Sequence, residues 1–252
     1  MKQDADRVAA YLELLKRLGE PLGDWRKGEV EIVAEADAIL AHERALAERY
    51  ASQGKDPSLA TTGIMYQDQY VWFLREPVLF PPPAGHEEPV RGTYIRIVYK
   101  ENANGNPSIF LLTVGADGRL ILNRSYKHPV RRWLVDGQGT IARSGEALDD
   151  SIRRCVRDEI GMPILSMTYL SPGFISDRGV LGCRVPMFLV RVVGELPEAV
   201  DDPTVVGHVA LTPGDYEAVL KEGSMEIGGV IHFAHEGYTV TAYTLAKLRG
   251  LL

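Results

Sequence analysis

The 252-residue chain is poor in cysteine, modest in aromatics, short of uninterrupted apolar runs and without a basic surplus. Two cysteines, Cys155 and Cys183, cannot staple a fold of this length, which excludes a disulfide scaffold and points to a reducing compartment. No apolar stretch approaches the ~18 residues that a membrane span needs. The opening MKQDADRVAAYLELLKRLGE is charged and helix-periodic, unlike the apolar core of a secretory signal. A soluble, cytoplasmic protein with no membrane partner is therefore expected. Lys and Arg number 28 against 34 Asp and Glu, a net charge of −6, so no nucleic-acid partner is expected either. What is present is an ordinary globular composition, 45% hydrophobic and 25% charged, on a chain long enough to bury a substantial core.

The first sixty residues read as helix. Val8, Tyr11, Leu12, Leu15 and Leu18 recur at steps of three and four, the period of one helical face, until Gly19 and Pro21 stop it. A second helix is expected from about Glu29 to Tyr50, with Ile32, Ala36, Ile39, Leu40, Leu46 and Tyr50 as its stripe. The polar break SQGKDPS, Ser52 to Ser58, marks a boundary. This gives a helical extension over 1–60, either a packed hairpin without chemistry or a dimerisation or regulatory appendage, and a second domain over 63–252.

Beyond the break the period changes to that of strands. Strands are expected over Tyr70 to Phe80, Thr93 to Tyr99, Ser108 to Val114 and Arg119 to Asn123, where branched and aromatic residues concentrate. Ala116-Asp117-Gly118 turns the chain between the last two. Further strands are expected near Met167 to Leu170, Pro186 to Val193 and Val205 to Leu211. Helices are expected over Leu148 to Glu159, Pro213 to Glu222 and Thr239 to Leu251. Strands interleaved with helices argue for a layered α/β or α+β domain.

The chemistry concentrates in Gly137 to Met162, GQGTIARSGEALDDSIRRCVRDEIGM. At 100° per residue, Cys155, Asp158 and Glu159 share one helix face beside an apolar stripe of Leu148, Ile152, Val156 and Ile160. Carboxylates so placed can offer hard oxygens to Mg²⁺ or Mn²⁺, although spacing alone favours a solvated acidic face. This stretch resembles the signature of the Nudix hydrolases: Gly, five spacers, Glu, seven spacers, then Arg-Glu-aliphatic-x-Glu-Glu-x-Gly-aliphatic. Glu146, Arg154, Val156, Glu159, Gly161 and Met162 match it, Asp158 stands for a Glu, Thr140 for the first Gly, and Cys155 for a Glu. SYKHPVRRWLVD (Ser125 to Asp136), SPGF (Ser171 to Phe174) and the C-terminal tail are similar to segments of the ADP-ribose and nucleotide-sugar pyrophosphatases. The resemblance covers about Tyr66 to Leu252.

The resemblance implies a sandwich of helices around a mixed sheet and metal-assisted attack of water on a nucleoside diphosphate linked to another moiety. It implies Mg²⁺ or Mn²⁺ on the Gly139 carbonyl, Asp158 and Glu159. Glu146 is implied to orient the signature loop or an outer-sphere water, and Arg154 to lock that loop through a carboxylate. Asp202 is the nearest candidate base, and Arg124, Lys127 and Arg131 are the candidate cations for the diphosphate. A homodimer built partly from the strands between Tyr66 and Tyr99 is implied as well. The alternative is a Nudix-fold nucleotide-binding or interaction module without hydrolysis, which Cys155, Thr140 and Gly137-Gln138 favour. Cys155 removes a hard ligand, since a thiol is mostly protonated near neutrality and soft as a thiolate. Gly137-Gln138, where the relatives have Leu-Pro, predicts a looser loop before Gly139.

Other patterns carry less. His232-x-x-His235-Glu236 lacks the order of zinc hydrolases, and Ser171 and Ser176 have no His/Asp pattern beside them. Met65, Tyr66, Tyr70, Trp72 and Phe73 are either strand core or an adenine shelf.

Overall fold

A computed structural model of the chain describes residues 2–175, 177–198 and 200–252; Ser176 lies outside the described residues. Two compact units emerge, Met1–Asn104 with Asp177–Gly182, and Gly105–Ser176 with Cys183–Leu252. Among the described residues no helix is long and apolar enough to cross a membrane.

The first unit runs α1 (Lys2–Leu18), β1 (Glu31–Ile32), α2 (Ala36–Ser52), β2 (Gly63–Gln67), β3 (Val71–Phe80), β4 (Val90–Tyr99) and α3 (Lys100–Ala103). β3 pairs antiparallel with β1, β2 and β4. The expected helix from Glu29 starts later, at Ala36, because Glu31 and Ile32 pair instead with Leu79 and Val78. That long-range pairing overrides a local helical period. One face of α1 is buried at the spacing the sequence shows. Leu14 packs against Trp72, Leu74 and Val98, while Val8 and Tyr11 pack against Ile39 of α2. Arg7 clamps the Glu43 carboxylate with two bonds of 2.8 Å, and Glu43 in turn accepts the Thr62 amide and hydroxyl at 2.7 Å.

The N-terminal helices therefore share one core with β2, β3 and β4, and the division falls after Asn104 rather than near residue 60. A chain begun at Gly63 strips Leu14 from Trp72 and Leu74, and it should collect as aggregate rather than as a folded species by circular dichroism. In the full chain, Leu14→Ala should cost about 2–4 kcal/mol for the cavity it leaves, read by urea denaturation. A loss within experimental error would mean that α1 is dispensable to this core.

The second unit contains β5 (Ser108–Gly115), β6 (Leu120–Lys127), β7 (Arg132–Asp136), β8 (Gln138–Ile141), α4 (Leu148–Glu159), β9 (Ile164–Phe174), β10 (Val185–Val192), β11 (Val205–Leu211), α5 (Pro213–Glu222), β12 (Ser224–Ile227), β13 (Val230–Phe233) and α6 (Gly237–Leu248). It is a mixed α/β fold. A nine-stranded sheet runs β12-β13-β7-β6-β5-β10-β9, with β11 added to β6 and β8 to β5. β5 pairs parallel with β10 and β7 parallel with β13, and the other pairs are antiparallel. Alternation along the strands sends Ile109, Leu111 and Ile121 towards α4, and Phe110, Leu112, Leu120 and Leu122 towards α5 and α6. The β12–β13 hairpin around Gly228 and Gly229 is not among the strands expected from sequence.

Candidate functional site

The site begins where two strands part. β5 and β6 pair only at Thr113↔Ile121 and Val114↔Leu120. Beyond that point β6 takes β7 as its partner through Asp136, and β5 takes β8 from Gln138 onward. Gly137 is the residue at which the chain crosses from one partner to the other. A Cβ there would lie 2.4 Å from the Phe110 ring and 2.5 Å from the Leu111 carbonyl oxygen, so only glycine fits. Its N–H donates to Thr239 Oγ1 at 2.9 Å. The looser loop expected before Gly139 is thus a tightly packed crossing into a strand, which corrects the reading of Gly137-Gln138.

Gln138, fully buried, fills the wedge between the parted strands. Thr113 Oγ1 donates to its Oε1 at 2.6 Å, and its Nε2 donates to the Ile121 carbonyl and to Asn123 Oδ1, both at 3.1 Å. Asn123 Nδ2 passes the chain on to Glu159 Oε2 at 2.6 Å, and Cys155 Sγ donates to Glu159 Oε1 at 3.2 Å. A continuous polar network therefore runs from the sheet to α4. Sequence reasoning singled out neither Thr113 nor Asn123. The available signal was a polar residue at an inward position of an apolar strand, Asn123 after Leu120, Ile121 and Leu122.

α4 forms because its apolar residues recur at helical spacing, burying Ile152, Cys155 and Val156 against Ile109, Leu111 and Ile121. It ends at Gly161, whose φ of +70° suits the left-handed residue past a helix end and whose N–H donates to the Val156 carbonyl at 2.9 Å. Its last turn carries Cys155 and Glu159, one above the other at i and i+4. Burial pushes the Glu159 carboxyl up to about 7, against the hydrogen bonds from Cys155, Asn123 and the Gly139 N–H, and the charge of Asp202 pushes the same way as burial. Burial also pushes the Cys155 thiol far up, with the Glu159 charge adding to it. The thiol is therefore a protonated donor at neutral pH, not a reactive thiolate.

The loop before α4 is held by one acid. Glu146 receives Arg154 Nε on Oε1 at 2.8 Å and Arg154 Nη2 on Oε2 at 2.9 Å. Oε2 also accepts the Arg143 N–H at 2.9 Å and the Ser151 hydroxyl at 2.8 Å. These donors, Arg154 first, hold the Glu146 carboxyl well below the usual range. Arg154 reaches further, to Thr140 Oγ1 at 3.1 Å and the Ile141 carbonyl at 3.0 Å. Arg154→Lys keeps the charge but loses the planar fork. It should speed amide hydrogen exchange at Arg143 and along the following loop, while leaving β10 protected. Unchanged exchange at Arg143 would mean that the fork does not hold the loop.

The structure brings four of the sequence-selected residues to one end of the sheet. The Gly139 N–H faces Glu159, and the Asp202 N–H donates to the Asp158 carbonyl at 3.2 Å. The Asp202 carboxylate caps its own loop, accepting Thr204 N and Oγ1 at 2.7 Å. His208 of β11 donates through Nε2 to the Glu159 carbonyl at 2.7 Å, and burial lowers its pKa. The Asp158 carboxylate accepts Arg157 Nε at 3.0 Å. Lys127 lies on the α4 side of β6 but is spent on Asp136, at 2.8 Å, where Ser125 also donates at 2.9 Å. Burial pushes the Asp136 carboxyl up against both partners. Arg124 lies on the opposite face of β6, and Arg131 sits in the β6–β7 turn with a φ of +53°. The three candidate cations do not converge.

This donor set does not fit Mg²⁺ or Mn²⁺ as it stands. Both Glu159 oxygens are engaged inside the protein, burial pushes its carboxyl up to about 7, and the side chain one turn before it is a protonated thiol rather than an acid. Among the described residues no group of three or more His, Cys, Asp or Glu side chains is placed to hold a metal ion.

No protein-family model matches the sequence, and no curated protein matches it. Solved structures do. One described as an ADP compounds hydrolase superposes with a TM-score of 0.54 at 17% identity, over 76% of this chain and 95% of that one. At that identity the likeness is one of fold.

Proposed function

We propose that this chain carries a Nudix-type site for a nucleoside diphosphate linked to another moiety, the ligand class of ADP-ribose and nucleotide sugars. We propose further that it holds this ligand without the metal-driven hydrolysis of that class. The likeness to a structure described as an ADP compounds hydrolase supports the first part. The observation that carries the second is the hydrogen bond from Cys155 to Glu159, which turns the acid at the end of the signature helix inward. The second reading, a divalent-metal-dependent pyrophosphohydrolase, draws on Glu146, Arg154, Asp158, Glu159 and Gly161, all present at the signature spacing.

One experiment separates the two. The protein is incubated with ADP-ribose and a panel of nucleotide sugars in millimolar Mg²⁺ or Mn²⁺, and released monophosphate is followed by chromatography. In parallel, binding in chelator is measured by calorimetry. Binding with no monophosphate is the expected result. Monophosphate release that Glu159→Gln abolishes would establish the hydrolase, and neither binding nor release would sink both readings. The same proposal includes a homodimer through the strands between Tyr66 and Tyr99, where Tyr94 and Ile95 stand exposed. A clean monomer by light scattering at micromolar concentration would remove it.

A further inference from the structure

The sheet face turned away from α4 carries a cation that the protein leaves unmatched. Arg124 makes no hydrogen bond and no ion pair among the described residues, and its Nε is buried without a partner. A partly buried guanidinium ordinarily has an acid or a carbonyl against it, because desolvating the charge is otherwise costly. Gly207, its cross-strand partner on β11, lies beside it, and a Cβ there would stand 3.7 Å from Arg124 Nη1, in ordinary contact. β11 also shifts register at this point, between Val205 and Gly207.

Aromatic rings flank the cation on the same face. Tyr126 lies two residues along β6 and is 44% exposed, and Trp133 is its cross-strand partner on β7, the two rings edge-to-face with centroids 5.5 Å apart. A diagonal neighbour across an antiparallel pair lies about 7–8 Å away, within reach of an arginine. On the next strand, His232 pairs with Trp133 with ring centroids 5.6 Å apart. Its Nδ1–H donates to the Val230 carbonyl at 2.9 Å, and its Nε2 is buried without a partner. One row across three strands thus holds an exposed ring, an unmatched guanidinium fork and an unsatisfied imidazole nitrogen.

We propose that this row is a nucleotide subsite separate from the signature helix, with Arg124 holding a phosphate and Tyr126 with Trp133 receiving the base. The guanidinium fork matches two phosphate oxygens. The exposed Tyr126 ring offers a stacking face that tolerates any base. The subsite does not depend on what the signature helix binds, since alternation puts Arg124 and Asn123 on opposite sides of β6.

The test uses the full chain in chelator with ADP as the probe, titrated by calorimetry. Photolabelling with 2-azido-ADP and peptide mapping then locates the bound base. The label should fall within Arg124 to Val135 or Val230 to Phe233. Arg124→Gln should weaken ADP at least about tenfold, the value of one charged hydrogen-bonded contact, and leave adenosine unaffected. Tyr126→Ala, a change at an exposed side chain, should weaken ADP and adenosine alike. Label confined to Gly139 to Met162 overturns the subsite while supporting the nucleotide site at α4. ADP affinities unchanged in both variants, or no saturable ADP binding by the parent, also overturn it.

Discussion

Glu159→Gln should make the protein more stable at pH 8 than the parent, by an amount that shrinks to nothing below pH 4.5. The cause is burial. Glu159 is 8% exposed, and its carboxyl is raised from 4.5 to about 7. A raised acid is neutral in the folded state where the unfolded chain has already ionised it. Its favourable contribution is therefore complete below about 4.5 and is lost as pH rises through about 7. At about 1.4 kcal/mol per unit, the loss is on the order of 3 kcal/mol. Glutamine is never ionised and so escapes it. It also keeps the geometry, accepting Asn123 Nδ2 on its oxygen and turning its amide towards Cys155 Sγ. The measurement is the difference in unfolding free energy between variant and parent in urea at pH 5 and pH 8. Taking the difference cancels Asp136, another acid raised by burial, which titrates alike in both proteins. An equal difference at both pH values would mean that Glu159 is ionised throughout and that its hydrogen bonds outweigh its burial.

The same residue shows how far the sequence could be read. Leu148 to Glu159 was legible as a helix because its apolar and acidic positions carry the helical period, and it folds over that span as α4. The strands at Ser108 to Val114 and Val205 to Leu211 were legible because branched apolar residues concentrate in them. The environment of Glu159 was not. Its partner Asn123 lies 36 residues away and belongs to a strand, while Asn123 is tied to Gln138, 15 residues on. Neither link has a local period. Gln138 and Gly137 looked like a departure that loosens a loop, because their fit depends on Phe110 and Leu111, which only the parting of β5 from β6 brings near. The first unit was misdivided on similar grounds. SQGKDPS is a genuine break in the chain, but Leu14 crosses it to reach Trp72 and Leu74, and a break in local structure is not a break in the core.

Cys155→Glu should have the largest effect of any single change at α4, and its sign should depend on metal. Cys155 is 2% exposed and packs with Ile152, Val156, Ile109 and Leu111, and its thiol donates to Glu159. Glutamate there is larger than the space, replaces a donor with an acid, and faces a second acid one turn away. In chelator the strain and the buried charge should together cost about 2–4 kcal/mol, lowering the thermal midpoint by several degrees. The same substitution supplies the hard oxygen ligand that the donor set lacks, beside Glu159 and Asp158. Millimolar Mg²⁺ or Mn²⁺ should therefore raise the midpoint of the variant and leave the parent nearly unmoved. An ion present at a hundredfold its dissociation constant returns about 2.7 kcal/mol, enough to offset most of the loss. Monophosphate release from ADP-ribose should appear only in the variant and only with metal. Equal metal-induced shifts in parent and variant would mean that adding the carboxylate does not create a cation site, because Asn123 and the buried position of Glu159 keep that acid turned inward. In that case the network from Thr113 to Glu159, rather than the lack of a carboxylate at position 155 alone, is what keeps a cation from α4.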